Sequence, residues 1–312
     1  MTGHVPTEWR MTSFSLGPRS TGGGNPAGVV LDPPALSSDE MTRIAVRLNP
    51  LSETAFVGPR EDGAYRLRYF APGGEVDLCG HATAAAYAVL ARTGRLGPLP
   101  AEVRSVAPGG TVGGRVERGV REVGTAGAGR GAGDAADAVV VWMDMPVARR
   151  VETTLDLDEV AGALGLPREV LASRPAAAIE DVGIRVALLP LPELEALDSI
   201  RPDFDRLRRL GRPGRIIVFY PFVLDAVGLR VRARAFAPAV DIDEDPATGT
   251  AAAALGAYLA RERLIGPHTE MHIRQGEAMG RPSELRLGVE HQEGNPLYVR
   301  VGGWVTGQPV AV

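Results

Sequence analysis

The sequence contains no lysine, so every cationic side chain other than histidine is an arginine. Mechanisms that need a lysine are therefore excluded, among them Schiff-base catalysis, covalently held pyridoxal phosphate and the Walker A phosphate loop. A single cysteine, Cys79, cannot form an internal disulfide. This is typical of a protein from a reducing compartment.

Long apolar runs and a strong charge bias are also missing. No run approaches the roughly 18 uninterrupted apolar residues of a membrane-spanning helix. The first residues lack the basic segment followed by an apolar one that marks a secretory signal. The net charge of −4 means that the chain lacks the excess of positive charge typical of proteins that bind nucleic acid. We therefore expect a soluble, cytoplasmic protein with neither nucleic acid nor membrane as a partner.

The chain has a clear internal repeat. An Arg-Xaa-Phe-Ala-Pro string occurs at 68–72 and again at 234–238, a shift of 166 positions. Each copy reads as a strand, a Pro-broken acidic loop and an Ala-rich helix that begins near Gly and Thr. When the two copies are aligned by this shift, Asp245 stands at the position of Cys79. Each copy would present free backbone N–H groups at a helix N-terminus, where an anion binds favourably.

Length and periodicity predict two halves of one fold class. At 312 residues with 45% hydrophobic residues, the chain is long for one core and suits two domains. Strands outnumber helices, and each half has one long central helix, which favours an α+β fold with a curled mixed or antiparallel sheet around that helix. We predict an N-terminal half at 1–125, a C-terminal half at 138–312, and a linker at 126–137. Whether the last strand returns to the first half is left open.

Local signals predict the elements around the candidate site. The glycine-rich stretch 22–28 reads as a turn before a strand at 29–31, and 37–48 as a helix with a serine cap. A strand is predicted at 54–57, and helices are predicted at 82–93 and 249–263. The Gly- and Ala-rich stretch 119–137 carries almost no large apolar residue and reads as the linker.

Three side chains of the first half are candidates for chemistry. Glu53 precedes an apolar strand, where it is either a solvated charge or a general base against an apolar wall. Cys79 is either a small buried residue or a reactive thiol, but a lone thiol cannot run a two-thiol racemase. His81 either caps a helix or relays protons, for which its ordinary pKa near neutrality is suited.

The second half offers Asp245 and no convincing cofactor motif. The acidic run at 241–245 lacks the glycine and the twelfth-position glutamate of an EF-hand loop. His268 and His272 would share one strand face, but this pair alone is weak evidence for a metal. No GxGxxG motif follows the first strand. We therefore expect no metal and no cofactor.

Four motifs together resemble the PhzF-like family of phenazine-biosynthesis isomerases. They are Gly-Asn-Pro-Ala-Gly at 24–28, Asn-Pro-Leu-Ser-Glu-Thr-Ala-Phe-Val at 49–57, Glu-Val-Asp-Leu-Cys-Gly-His-Ala-Thr at 75–83 and Glu-Asp-Pro-Ala-Thr-Gly-Thr-Ala at 244–251. The resemblance implies the diaminopimelate epimerase-like fold, with two similar halves and an active site in the cleft between them. It also implies a homodimer.

The resemblance further implies residue roles. Glu53 is the expected proton-transferring acid and base, while His81 and Asp245 line the site, orient the substrate and relay the proton. Amides near Gly80, Gly249 and Thr250 hold the substrate carboxylate, and Asn25 borders the cleft. Thr250 stands where many members carry serine, which preserves the hydroxyl group.

These observations predict a cofactor-independent isomerase that moves a proton on a small carboxylate-bearing substrate. Two alternatives stay open on the sequence. One is an amino-acid racemase or epimerase that uses Cys79 and Glu53 on opposite faces of the substrate carbon. The other is a non-catalytic protein that binds small anions.

Overall fold

The computed structural model describes residues 7–20, 22–50, 52–119, 138–153, 155–171 and 175–310. The chain divides into two compact units. Unit 1 comprises Met1–Asp144 and Gly302–Val312, and unit 2 comprises Met145–Val301. The chain thus enters unit 2 after Asp144 and returns to unit 1 at Gly302. The linker predicted at 126–137 lies outside the described residues.

Unit 1 is a ring of strands around one helix. Its strands are β1 (Thr7–Ser15), β2 (Asn25–Leu31), β3 (Thr54–Pro59), β4 (Tyr65–Ala71), β5 (Gly74–Val76), β6 (Ala101–Ala107), β7 (Gly110–Arg118), β8 (Val139–Met145) and the end of β16 (Asn295–Pro309). The order is β1-β2-β3-β4-β6-β7-β8-β16, with β5 beside β4. β16 also pairs with β1, which closes the ring.

The helix inside this ring is α2, Gly80–Arg92, which packs against β1, β2, β3 and β7. Its side chains from Ala82 to Leu90 are buried, as expected for a helix that is apolar on all sides. A second helix, α1 (Ser38–Leu48), is amphipathic and packs its buried side on Phe56 and Phe70. Those two rings meet edge to face at 5.5 Å.

Unit 2 also packs its sheet against one long helix, and it adds a layer of shorter helices. Its strands are β9 (Arg149–Val151), β10 (Ala178–Asp181), β11 (Arg185–Pro190), β12 (Ile216–Asp225), β13 (Arg230–Ala233), β14 (His268–Gln275) and β15 (Ser283–Gln292), followed in the sheet order by the start of β16. Helix α7, Gly249–Arg261, packs against β10, β11 and β15. The other helices are α3 (Leu157–Leu164), α4 (Arg168–Leu171), α5 (Leu194–Ser199) and α6 (Phe204–Gly214).

The α+β prediction is confirmed, and most element positions agree with it. Two boundaries differ near the candidate site. β2 begins at Asn25, where a turn was predicted, because this segment pairs with β1 from its first residue. α2 begins at Gly80, two residues before the predicted start, so His81 lies within the first helical turn. Strands β5, β6, β7, β9 and β10 were not predicted.

The longest helices of the described chain, α2 and α7, have 13 residues each. In the described ranges no helix reaches the length and hydropathy that crossing a bilayer requires.

Candidate functional site

The backbone of Glu53 is held in place on two sides. Its carbonyl accepts one hydrogen bond from the Gly28 amide of β2, at 3.1 Å, and another from the Asn49 side chain, at 3.3 Å. A Cβ on Gly28 would collide with the hydroxyl of Thr54, so the parallel β2–β3 pairing needs glycine here. The fold therefore presents the Glu53 side chain from a rigid position.

Glu53, His81 and Ser52 form one hydrogen-bonded cluster. Ser52 Oγ donates to Glu53 Oε2 at 2.6 Å and lies 3.0 Å from His81 Nε2. The Glu53 carboxylate itself is 3.3 Å from His81 Nε2. Because the serine proton is directed to the carboxylate, the serine oxygen can accept from an Nε2–H group. The predicted proximity of Glu53 and His81 is thus present within unit 1.

Cys79 adjoins the same cluster and is buried. Its sulfur lies 3.4 Å from His81 Nδ1 and 3.8 Å from Nε2. The reactive atoms of Glu53, Cys79 and His81 all lie within 4.8 Å of one another, a grouping that could ligate a metal. His81 Nε2 alone is near both other groups, at 3.3 Å from the carboxylate and 3.8 Å from the sulfur. The three side chains are therefore close enough to pass a proton among them and also close enough to hold one ion.

The same distances bear on a two-base racemase. Two bases on opposite faces of one carbon must each approach it to about 3 Å or more, which separates them by roughly 6 Å. Glu53 and Cys79 are closer together than that. In this geometry they cannot enclose a substrate carbon between them.

In unit 2, Asp245 lies just before α7 and is held by its own loop. Thr248 Oγ1 donates to Asp245 Oδ2 at 2.6 Å, and the Asp245 amide donates to the carbonyl of Ala235 at 3.0 Å. The register predicted between Asp245 and Cys79 is wrong. The residues before the two helices are Cys79 and Thr248, 169 positions apart, because the loop of the second copy is three residues longer.

The two long helices begin without a capping side chain. At both N-cap residues, Cys79 and Thr248, no side-chain hydrogen bond caps the helix. Three other helices, α1, α3 and α6, have such caps, provided by Ser37, Asp156 and Asp203. The first-turn amides of α2 and α7 therefore keep the anion-binding capacity of a helix N-terminus.

The predicted substrate-binding residues lie at these helix starts. Gly80 and Gly249 are the first residues of α2 and α7. A Cβ at either glycine would make only an ordinary contact, 3.9 Å from Met143 and 3.8 Å from Val301, so packing does not require glycine there. Thr250 follows in the first turn of α7.

Asn25 is buried at the start of β2 in unit 1. The roles predicted for it and for the residues at the two helix starts remain proposals.

Four further residues, Ser52, Thr248, Gln275 and Tyr220, are hydrogen-bonded to Glu53, to Asp245 or to each other and were not candidates on the sequence. Ser52 and Thr248 lie inside the motifs quoted above, one and three positions from the carboxylates they contact. Gln275 carried a usable signal, because β14 alternates buried and open positions and places a glutamine on the buried side with Met271 and Ile273. Tyr220, in the buried strand β12, has no sequence signal that separates it from core tyrosines.

Solved structures confirm the class of fold. A PhzF-family phenazine biosynthesis protein from Bacillus anthracis superposes with a TM-score of 0.79 at 23% identity, covering 99% of this chain and 100% of that one. A probable proline racemase from Agrobacterium radiobacter superposes with a TM-score of 0.57 at 12% identity, covering 99% and 93%. The fold is thus the diaminopimelate epimerase-like one shared by PhzF proteins and proline racemases.

Sequence comparison identifies the family within this class. The PhzC-PhzF profile, described as phenazine biosynthesis-like protein, matches residues 18–310. A relative from Deinococcus radiodurans named "Uncharacterized isomerase" is 38% identical over 286 residues, covering 90% of this chain and 87% of the relative. The chain belongs to the PhzC-PhzF family, and it is an isomerase.

Proposed function

We propose that this isomerase needs no cofactor and transfers a proton between two carbons of a small carboxylate-bearing substrate. Glu53 takes the proton from one carbon and returns it at another. His81 and Asp245 orient the substrate and assist the transfer.

The observation that carries this proposal is the Glu53–Ser52–His81 cluster. A general base needs a fixed position, a hydrogen-bonded environment and access to substrate. Glu53 has its backbone held on two sides, its side chain is 21% exposed, and its carboxylate contacts both a hydroxyl and an imidazole. A solvated strand-end charge would need none of these contacts.

The uncapped starts of α2 and α7 support a carboxylate as the bound group. As a C–H bond next to a carboxylate breaks, negative charge gathers on that carboxylate. Backbone amides such as those near Gly80, Gly249 and Thr250 would stabilise that charge without reorganising, each by about 3 kcal/mol where comparable sites have been measured.

Two alternatives are weaker. The racemase that uses Cys79 and Glu53 on opposite faces is disfavoured because those groups lie too close together. A non-catalytic anion-binding protein is disfavoured because a relative of this chain is named an isomerase.

We expect Glu53→Gln to lower kcat by on the order of 100- to 10,000-fold while leaving substrate affinity largely unchanged, because the amide keeps the shape but cannot take a proton. The measurement is deuterium incorporation from D2O into a panel of cyclic and amino-acid carboxylates, followed by NMR. Glu61→Gln, at an exposed glutamate between β3 and β4, is the matched control and should keep full activity.

Cys79→Ser separates this mechanism from the racemase. Exchange retained in Cys79→Ser and lost in Glu53→Gln supports the single-base isomerase. Exchange with inversion that disappears in Cys79→Ser would overturn it, as would full activity of Glu53→Gln. The homodimer and the cytoplasmic location expected from the sequence remain predictions.

A further inference from the structure

A buried chain of hydrogen bonds ends at Asp245. Tyr220 Oη donates to Gln275 Oε1 at 3.0 Å. Gln275 Nε2 donates to the Asp245 carbonyl at 2.8 Å and to Thr248 Oγ1 at 3.0 Å. Thr248 Oγ1 then donates to Asp245 Oδ2 at 2.6 Å. Tyr220 and Gln275 are both fully buried.

The direction of every bond in this chain follows from one fixed acceptor. The Asp245 carbonyl oxygen can only accept, so the NH2 group of Gln275 must face it, which settles the amide orientation. The other amide hydrogen points to Thr248 Oγ1, which accepts it. The threonine proton is therefore directed to Asp245, whose carboxylate acts as the acceptor.

The Asp245 loop is also braced by the residue after Gln275. Gly276 has φ of +78°, and a Cβ there would lie 2.9 Å from the Pro246 carbonyl oxygen. Only glycine permits both this left-handed conformation and this close backbone contact. The end of β14 thus holds the loop through a side chain and through the backbone.

We propose that Gln275 is a positioning residue that holds Asp245 ionised and oriented as a hydrogen-bond acceptor, with Tyr220 locking the Gln275 amide. The inference rests on the proposed function, in which Asp245 contacts the substrate. An amide does not titrate, so this arrangement stays constant with pH. An ionised Asp245 accepts a hydrogen bond from a substrate ammonium or hydroxyl group.

The partner of Glu53 differs in this respect. Ser52, which donates to Glu53, is joined to His81, a group that can itself gain or lose a proton. The two carboxylates thus receive similar hydroxyl donors, but the donor of Glu53 contacts a histidine whereas the donor of Asp245 contacts an amide. Glu53 therefore exchanges the proton with the substrate. Asp245 accepts a hydrogen bond from an ammonium or hydroxyl group of the substrate.

Tyr220 and Glu244 are two further ionisable groups near Asp245. Burial, and then the Asp245 charge, raises the pKa of Tyr220 well above its usual range, so its proton remains available to Gln275. Glu244, the preceding residue, is paired with Arg234 at 2.8 Å. The Tyr220 hydroxyl therefore stays protonated across the range in which an aspartate titrates.

The test compares two substitutions at Gln275. Gln275→Met removes both amide donors with little change of volume, and kcat/KM should fall about tenfold as the acid limb of its pH profile moves up by about one unit. Gln275→Glu should lower kcat/KM further than Gln275→Met does. The new carboxylate would face the Asp245 carbonyl oxygen and would compete with Asp245 for the Thr248 proton. Tyr220→Phe should shift the profile in the same direction by less. Gln292→Met, at the exposed end of β15, is the matched control.

The substrate is the carboxylate that exchanges fastest in the D2O screen, and each variant is checked for native folding by circular dichroism. A folded Gln275→Met with an unmoved acid limb overturns the inference. A second arm needs no activity: carbonyl-13C aspartate NMR of the ligand-free protein, with Asp245→Asn for assignment, should show Asp245 titrating at higher pH in Gln275→Met. If wild type exchanges no carboxylate while this shift occurs, the proposed function fails and the role of Gln275 in holding Asp245 stands.

Discussion

Two carboxylates, one in each unit, share a feature of local chemistry. Ser52 donates to Glu53 and Thr248 donates to Asp245, each at 2.6 Å. A short hydrogen bond donated to a carboxylate fixes the orientation of that carboxylate. Both hydroxyl groups are in turn held by a neighbouring side chain.

Ser52→Ala should lower kcat about tenfold with little change in KM, because Glu53 loses its hydroxyl donor and His81 loses an acceptor. Steady-state deuterium exchange measures both constants. Ser52→Thr keeps the hydroxyl and should restore most of the activity. Ser199→Ala, at an exposed serine whose hydroxyl donates to a helix carbonyl of α5, serves as the control. Equal losses in Ser52→Ala and Ser52→Thr would show that the hydroxyl is not the cause.

At the scale of elements, both copies of the repeated string make the same pair of contacts. Arg68 stacks over Phe70 at 5.0 Å and pairs with Glu75 through two nitrogens. Arg234 stacks over Phe236 at 5.0 Å and pairs in the same way with Glu244. Each arginine thereby ties the repeated string to the segment that leads into the central helix.

The two pairs differ in burial, which predicts different effects on stability. Arg234 and Glu244 are only 10% and 12% exposed, whereas Arg68 and Glu75 are 28% and 30% exposed. Glu244→Gln should lower the free energy of unfolding by about 3 kcal/mol, since it leaves a buried charge without its partner. Glu75→Gln, the matched control, should cost less than about 1 kcal/mol, because water can replace the lost partner. Urea unfolding measures both, and equal losses would contradict the prediction.

Elements with strong local signals were predictable. The Ser37 cap, with Glu40 bonding back to it, defines the start of α1 as the sequence indicated. Helix α3 has equally clear local signals, because a capping aspartate precedes it and a left-handed glycine ends it. Strands β6, β7 and β10 were missed because their glycines, arginines and acidic residues weaken the alternation that marks a strand.

At the scale of the whole molecule, the absence of lysine affects how the stability of the fold depends on high pH. Arginine stays protonated at every pH that proteins survive, so the ion pairs persist where lysine pairs would weaken. The buried tyrosines behave differently. Burial raises the pKa of Tyr87 to about 12 and those of Tyr69, Tyr220 and Tyr258 beyond that.

We therefore expect stability to be lost above pH 10 through the tyrosines. A group whose pKa is raised on folding contributes stability that is complete below its unfolded value, near 10, and is lost as the pH rises through the folded value. The free energy of urea unfolding should stay level from pH 8 to about pH 10 and then fall. Tyrosinate absorbance from the buried tyrosines should rise together with unfolding, and a rise that precedes unfolding would contradict this prediction.

Local sequence determined the elements, the family motifs and the residue types available for chemistry. Alternation, caps and the repeated string are properties of neighbouring residues, so they can be read without coordinates. They identified Glu53, His81 and Asp245 as candidates and indicated the α+β class that the structure has.

Only the tertiary structure decided which groups touch. Ser52 reaches His81 across 29 positions, and Gln275 reaches Asp245 across 30. The tertiary structure also showed that Thr248, and not Asp245, stands at the position equivalent to Cys79. The loop before α7 is three residues longer than the loop before α2, and this changes which residue precedes the helix. Such contacts arise when strands distant in the chain pair and bury polar groups together, and a buried polar group then takes whatever partner the packing provides.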